Sequence, residues 1–149
     1  MGRCFLILLF AMDGIDMGLF SKSMFTQVEG VVLLNGQPVQ GAEVISSYDW
    51  SAKNEKKSKT VKTDENGKFH FPEWKSQCLL SLFFPMQPVI SQKIIIIHNG
   101  NEYTAWRNIK NSYGNGDEVG VSPIKITCNL ESRFSEKHKN GHYGICHLD

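Results

Sequence analysis

The 149-residue sequence has little of what a membrane, a nucleic acid or a cofactor would ask for. Its apolar opening, Cys4 to Met12, is nine residues long, whereas a membrane-spanning helix needs about 20. No stable membrane span is expected. Charge of one sign is scarce: 16 basic and 15 acidic residues leave a net +1. A nucleic-acid or anionic-membrane partner would call for a basic excess, so no nucleic acid is expected either. None of the four cysteines forms a C-x-x-C pair, which removes zinc-ribbon and thioredoxin motifs. There is no Gly-x-Ser-x-Gly elbow. Gly114, Gly116 and Gly120 lack the Lys-Ser/Thr end of a phosphate loop. No cofactor is therefore expected. No segment carries a helical 3.6-residue period, and no internal repeat is present.

What remains is a strand pattern. The apolar fraction of 41% is that of a globular chain, and from Thr26 onward turn chemistry recurs about every ten residues. Phe25 to Leu34 reads as a first strand closed by Asn35-Gly36, and Ala42 to Trp50 as a second. Ser51 to Lys59, carrying Lys53, Lys56, Lys57 and Lys59, reads as a solvated loop with an anion-binding tip as the functional alternative. Thr60 to Thr63 and Lys68 to Pro72 read as a hairpin around Asp64-Glu65-Asn66-Gly67. Gln77 to Phe84 is apolar enough for an interior strand. Val89 to His98 and Asn101 to Arg107 form a hairpin on Asn99-Gly100, a dipeptide suited to the two positive-φ positions of such a turn. A polar loop at 108–122 and a strand from Pro123 to Leu130 follow. The organisation expected is one β-sandwich at 25–130 and a polar C-terminal tail at 131–149. Residues 1–16 stand apart. They read either as a signal peptide, on the Cys4 to Met12 run, or as an extension upstream of a start at Met17.

Two segments carry a resemblance. Val28-Glu29-Gly30-Val31-Val32, with Gly36-Gln37-Pro38-Val39-Gln40-Gly41-Ala42-Glu43-Val44, resembles the opening of transthyretin-like and carboxypeptidase-regulatory-like domains. Thr63-Asp64-Glu65-Asn66-Gly67-Lys68-Phe69-His70-Phe71-Pro72 resembles their second signature. The resemblance implies an all-β, Ig-like (prealbumin-type) sandwich of seven to eight mostly antiparallel strands. It implies little about activity, since this architecture hosts carriers, stalks, chaperone-like modules and one hydrolase. That hydrolase, which acts on 5-hydroxyisourate, ends in Tyr-Arg-Gly-Ser and has a His on its first strand. Here the end is His142-Tyr143-Gly144-Ile145-Cys146 and the first strand has no His. No catalytic residue carries over, and an enzyme is not expected. Cys78, in an apolar strand, reads as an inert thiol rather than half of a dyad with His70 or His98.

Three groups of candidate site residues follow. Counting outward from Asn99-Gly100 pairs Ile95 with Thr104 and Ile94 with Ala105. This assigns Ile95, Ile97 and Trp106 to the outer face, where an antiparallel sheet facing water should be polar. They form a candidate protein interface, unless the 108–122 loop or the tail folds over them. Cys128 and Cys146 flank the tail and are a candidate disulfide, which would imply an oxidising compartment. His138, His142 and His147 are a weak metal candidate in a tail read as solvated. The expected function is a protein-binding module of a bacterial cell, toxin-neutralising or scaffolding, with the periplasm or envelope favoured. The alternative is a small-ligand or metal carrier using the sandwich end and the tail.

Overall fold

The computed structural model of the chain describes residues 21–77, 87–132, 138 and 141–149. The segment at 1–16, Cys78 and all but Gln77 of the expected strand Gln77 to Phe84 lie outside these residues. Among the described residues there are eleven strands and no helix. They are β1 Ser21–Phe25, β2 Val28–Leu34, β3 Gln37–Pro38, β4 Glu43–Trp50, β5 Glu55–Lys62, β6 Lys68–Phe71, β7 Trp74–Gln77, β8 Ile90–His98, β9 Asn101–Lys110, β10 Ile124–Asn129 and β11 Cys146–Leu148. The count exceeds the expected seven to eight because the first strand is broken and β3, β7 and β11 are short additions.

Two main sheets face each other. One runs β5-β4-β8-β9, antiparallel throughout; we call it the front sheet. The back sheet runs β11-β10-β2-β3, with β6 also on β2, and is antiparallel except for β2 beside β10. The core between them takes Val44, Ile94, Ile96 and Trp106 from the front. Val28, Val32, Phe69, Phe71, Ile124 and Ile126 come from the back. Period-2 alternation explains this sorting, because every second side chain of a strand points to one face. A two-stranded sheet of β1 and β7 closes one end, over a smaller cluster of Met24, Tyr48, Trp50 and Ile90.

Local chemistry explains where strands stop. The first strand breaks at Thr26 because its amide donates to the Glu118 carboxylate, 3.0 Å away, instead of to a ladder. At Asn99-Gly100 both φ angles are positive, 49° and 74°, and His98 pairs with Asn101 as expected. Two expectations need correction. Only residues 51–54 of the expected Ser51 to Lys59 loop are a turn; the rest is edge strand β5. Its lysines and serines look like loop composition, but charged side chains are also what protects an exposed edge from aggregation. The Asp64 to Gly67 turn does exist, with Asp64 Oδ1 accepting from the amides of Asn66 and Lys68 at 2.9 Å each. It does not close a hairpin, however. It carries the chain from β5 in the front sheet to β6 in the back sheet, and turn residues alone do not say which strand will be the partner.

Candidate functional site

Strand β8 reads Ile90 to His98 with alternating burial. Ile90, Gln92, Ile94 and Ile96 point inward; Ser91, Lys93, Ile95 and Ile97 point outward. From the turn, the pairs Ile97 with Glu102, Ile96 with Tyr103 and Ile95 with Thr104 form as expected. Ile94 then pairs with Trp106, not Ala105, because β9 bulges by one residue. A bulge places two residues opposite one and turns over the alternation beyond it. Trp106 therefore falls on the inner face, 1% exposed, and the expectation of a surface tryptophan is overturned. The same inversion turns Arg107 and Ile109 outward; both are exposed. Ile95 and Ile97 remain on the outer face, half-buried, with Ile45 of β4 opposite Ile95.

The tail lies along the free edge of β9. Arg107 and Tyr143 exchange backbone hydrogen bonds of 2.7 and 2.8 Å, and the Ile145 amide donates to the Thr104 carbonyl at 3.1 Å. A side chain at Gly144 would put its Cβ 2.1 Å from the Ala105 carbonyl oxygen, so only glycine permits this approach. Two residues on, β11 pairs with β10, Cys146 opposite Cys128, and the two are disulfide-bonded. The tail is thus a strap across the sandwich, hydrogen-bonded to the front sheet at β9 and to the back sheet at β10. The reading of a solvated tail is corrected for residues 141–149.

The strap brings the three histidines together. His142 is 2% exposed and stacks on Trp106, ring centroids 4.0 Å apart, while His138 stacks on its other face at 4.3 Å. His147 meets His138 edge-on at 5.0 Å. His142 Nε2 donates to the Cys146 carbonyl at 3.4 Å, and Nδ1 has no hydrogen-bond partner among the described residues. Burial drives the pKa of His142 down to about 4, with neighbouring His138 and His147 pushing the same way against the Cys146 carbonyl. Parallel rings do not aim their lone pairs at a common point. Among the described residues no group of His, Cys, Asp or Glu has the placement of a metal site, and Cys146 is taken by its disulfide.

A buried ion pair had no signal in the sequence. Lys110 Nζ lies 3.2 Å from Glu118, with side chains 1% and 0% exposed. Glu118 also accepts from the Thr26 hydroxyl at 2.5 Å and from Gln92 at 2.8 Å, while Lys110 donates to the Gly114 carbonyl at 2.6 Å. Burial alone would raise the carboxyl pKa. The Thr26 hydroxyl and amide, Gln92 and the Lys110 ammonium together hold it below the ordinary range. This network pins the 111–122 loop to the sandwich end. Losing one partner of such a pair costs about 3–5 kcal/mol, because the other charge is stranded.

The outer faces of the two sheets differ. On the back sheet, His70, Glu29 and Lys125 stand side by side in register, and Lys68, Val31, Thr127 and His147 form the next row. That is a charge-mixed, solvated face. The front sheet also carries charges of both signs, Lys62, Glu43 and Glu102 in one row and Lys56 and Asp49 in another, but between and beside them it presents Ile45, Ile95 and Ile97, then Lys93 and Arg107, then Ile109 at 60% exposure; Tyr143, at 43%, borders it. A groove of about 810 Å³ opens beside the cations, lined among others by Ser47, Ser58, Lys93, Arg107, Ile109 and Tyr143.

The family model described as a domain of unknown function, DUF6795, matches residues 28–133. No curated protein matches the chain.

Proposed function

The chain belongs to the DUF6795 family, and we propose that it is a non-catalytic protein-binding module whose partner sits on the outer face of the front sheet. The observation that carries this reading is the contrast between the two faces. Half-buried Ile45, Ile95 and Ile97, exposed Ile109 and Tyr143, and two cations gather on one side. Contiguous apolar surface with a polar rim marks interaction sites, and Tyr and Arg are enriched at interfaces. Against catalysis, the buried ionisable pair Lys110 and Glu118 is spent on structure. The Cys128 to Cys146 bond supports placing this module, whether toxin-neutralising or scaffolding, in an oxidising compartment such as the periplasm.

The finer fold assignment, a transthyretin-like, carboxypeptidase-regulatory-like sandwich, belongs to the same proposal. Its two signature segments meet in space as β2 and β6, Gly30 opposite Phe69. A Cβ at Gly30 would come within 2.2 Å of the Phe69 ring, so the two motifs work as one packing unit.

The test is Ile95→Asp. A protein captured by wild type should be lost per folded molecule, with melting measured on the same variant because Ile95 is half-buried beside Ile45. Capture undiminished by Ile95→Asp rejects this face as the binding surface.

A further inference from the structure

Strand register lets the outer face of the front sheet be read in rows. Ser58 of β5 pairs with Ser47 of β4, Ser47 with Lys93 of β8, and Lys93 with Arg107 of β9. Arg107 in turn bridges to Tyr143 of the strap. One line of side chains therefore crosses the whole sheet: two hydroxyls, two cations and a phenol. Lys93 and Arg107 stand directly opposite each other, and like charges in that position destabilise a sheet. Neither forms an ion pair among the described residues; the acid of this face nearest the row, Asp49, is engaged by Lys56 at 3.3 Å. The small serines keep the row low, so the groove opens along it between Lys56 and the exposed Ile109 and Tyr143. The fold thus retains an uncompensated cationic pair, at a cost to its own stability, in the floor of an apolar-edged groove.

We propose that this groove receives an acidic segment of the partner protein, with carboxylates on Lys93 and Arg107 and an apolar side chain against Ile109 and Tyr143. The inference rests on the binding face proposed above and adds the partner's chemistry. The row favours a chain over a lone anion. Strands lie about 4.8 Å apart, so the line from Ser58 to Tyr143 spans roughly 19 Å, which about six extended residues would cover. Built phosphate sites converge several backbone N–H groups on one point. Here the donors are side chains spread along a line, and the backbone amides of the inner strands β4 and β8 serve the ladders.

The experiment is fluorescence anisotropy on the full chain with a labelled peptide, Glu-Val-Glu-Val-Glu-Val, and its Gln-for-Glu counterpart. The acidic peptide should bind at least about tenfold more tightly than the neutral one and weaken as salt is added. Lys93→Glu and Arg107→Glu should each weaken it by about tenfold or more. Lys68→Glu, an equal charge change on the back sheet, should not. Each reversal makes an opposite-charge cross-strand pair, so the melting temperature should hold or rise while binding falls; a structural role for these residues would give the reverse. Equal binding of the two peptides, or binding indifferent to the reversals, overturns the inference. So does binding of inorganic phosphate or phosphatidylglycerol vesicles at Lys93 and Arg107 without the peptide. If Ile95→Asp abolishes partner capture but the reversals leave it intact, the binding face stands and the acidic segment falls.

Discussion

Trp106 decides how the front sheet is understood. It is buried, its indole Nε1 has no hydrogen-bond partner among the described residues, and its ring stacks on His142. Trp106→Ala should lower stability by about 3–5 kcal/mol, the range for removing a buried aromatic. Partner binding per folded molecule should persist. Melting and binding measured on the same variant check both, and an unchanged melting temperature would put the ring back on the surface. His142 adds a pH dependence. Its folded pKa, about 4, is below the ordinary 6.5, so the unfolded chain binds more protons between those values. Stability should be fully present above about pH 6.5 and fall as pH drops toward 4, by at most about 1.4 kcal/mol per pH unit. His142→Phe keeps a stacked ring without the proton site, and should flatten the wild-type slope in that window. Equal slopes for the two proteins would show that His142 is not held neutral.

At the scale of elements, the sequence was most legible where local chemistry alone decides. The Asn99-Gly100 turn set the register of β8 and β9 correctly for four pairs, from His98 with Asn101 to Ile95 with Thr104. The next pair failed, because the one-residue bulge in β9 leaves no mark in a period-2 pattern. That single shift hid Arg107 and Ile109 and miscast Trp106. Edge strand β5 was hidden by its lysines, and β6 was attached to the wrong sheet, since a turn does not name its partner. The strap was half legible. Cys128 with Cys146 was readable as a pair, but the pairing of Tyr143 with Arg107 depends on contacts across the sandwich. The bond joins positions 18 residues apart, and closing such a loop contributes about 2–4 kcal/mol in the chain-entropy account. Reduction should lower the melting temperature. Hydrogen exchange should also quicken at the amides of Arg107, Tyr143 and Ile145 before it does at β4. Unchanged exchange at these three on reduction would mean that the strap holds without the disulfide.

Taken whole, the molecule is a two-faced sandwich whose interior polar groups serve structure and whose faces differ in kind. Both faces carry charges of both signs; the front face also gathers isoleucines beside Lys93 and Arg107, which form no ion pair among the described residues. Of this, the sequence showed the isoleucines Ile95 and Ile97 but not the cationic row, which exists only once four strands and the strap are laid side by side. The central claim, that the partner sits on the front face, is tested most directly by a photo-crosslinking residue placed singly at Ile95, Ile109, His70 or Lys125 of the full chain in its native cells. The account predicts a discrete protein adduct from positions 95 and 109, and none from positions 70 and 125 on the back sheet. Adducts from 70 or 125 alone, or none from 95 and 109, would contradict it.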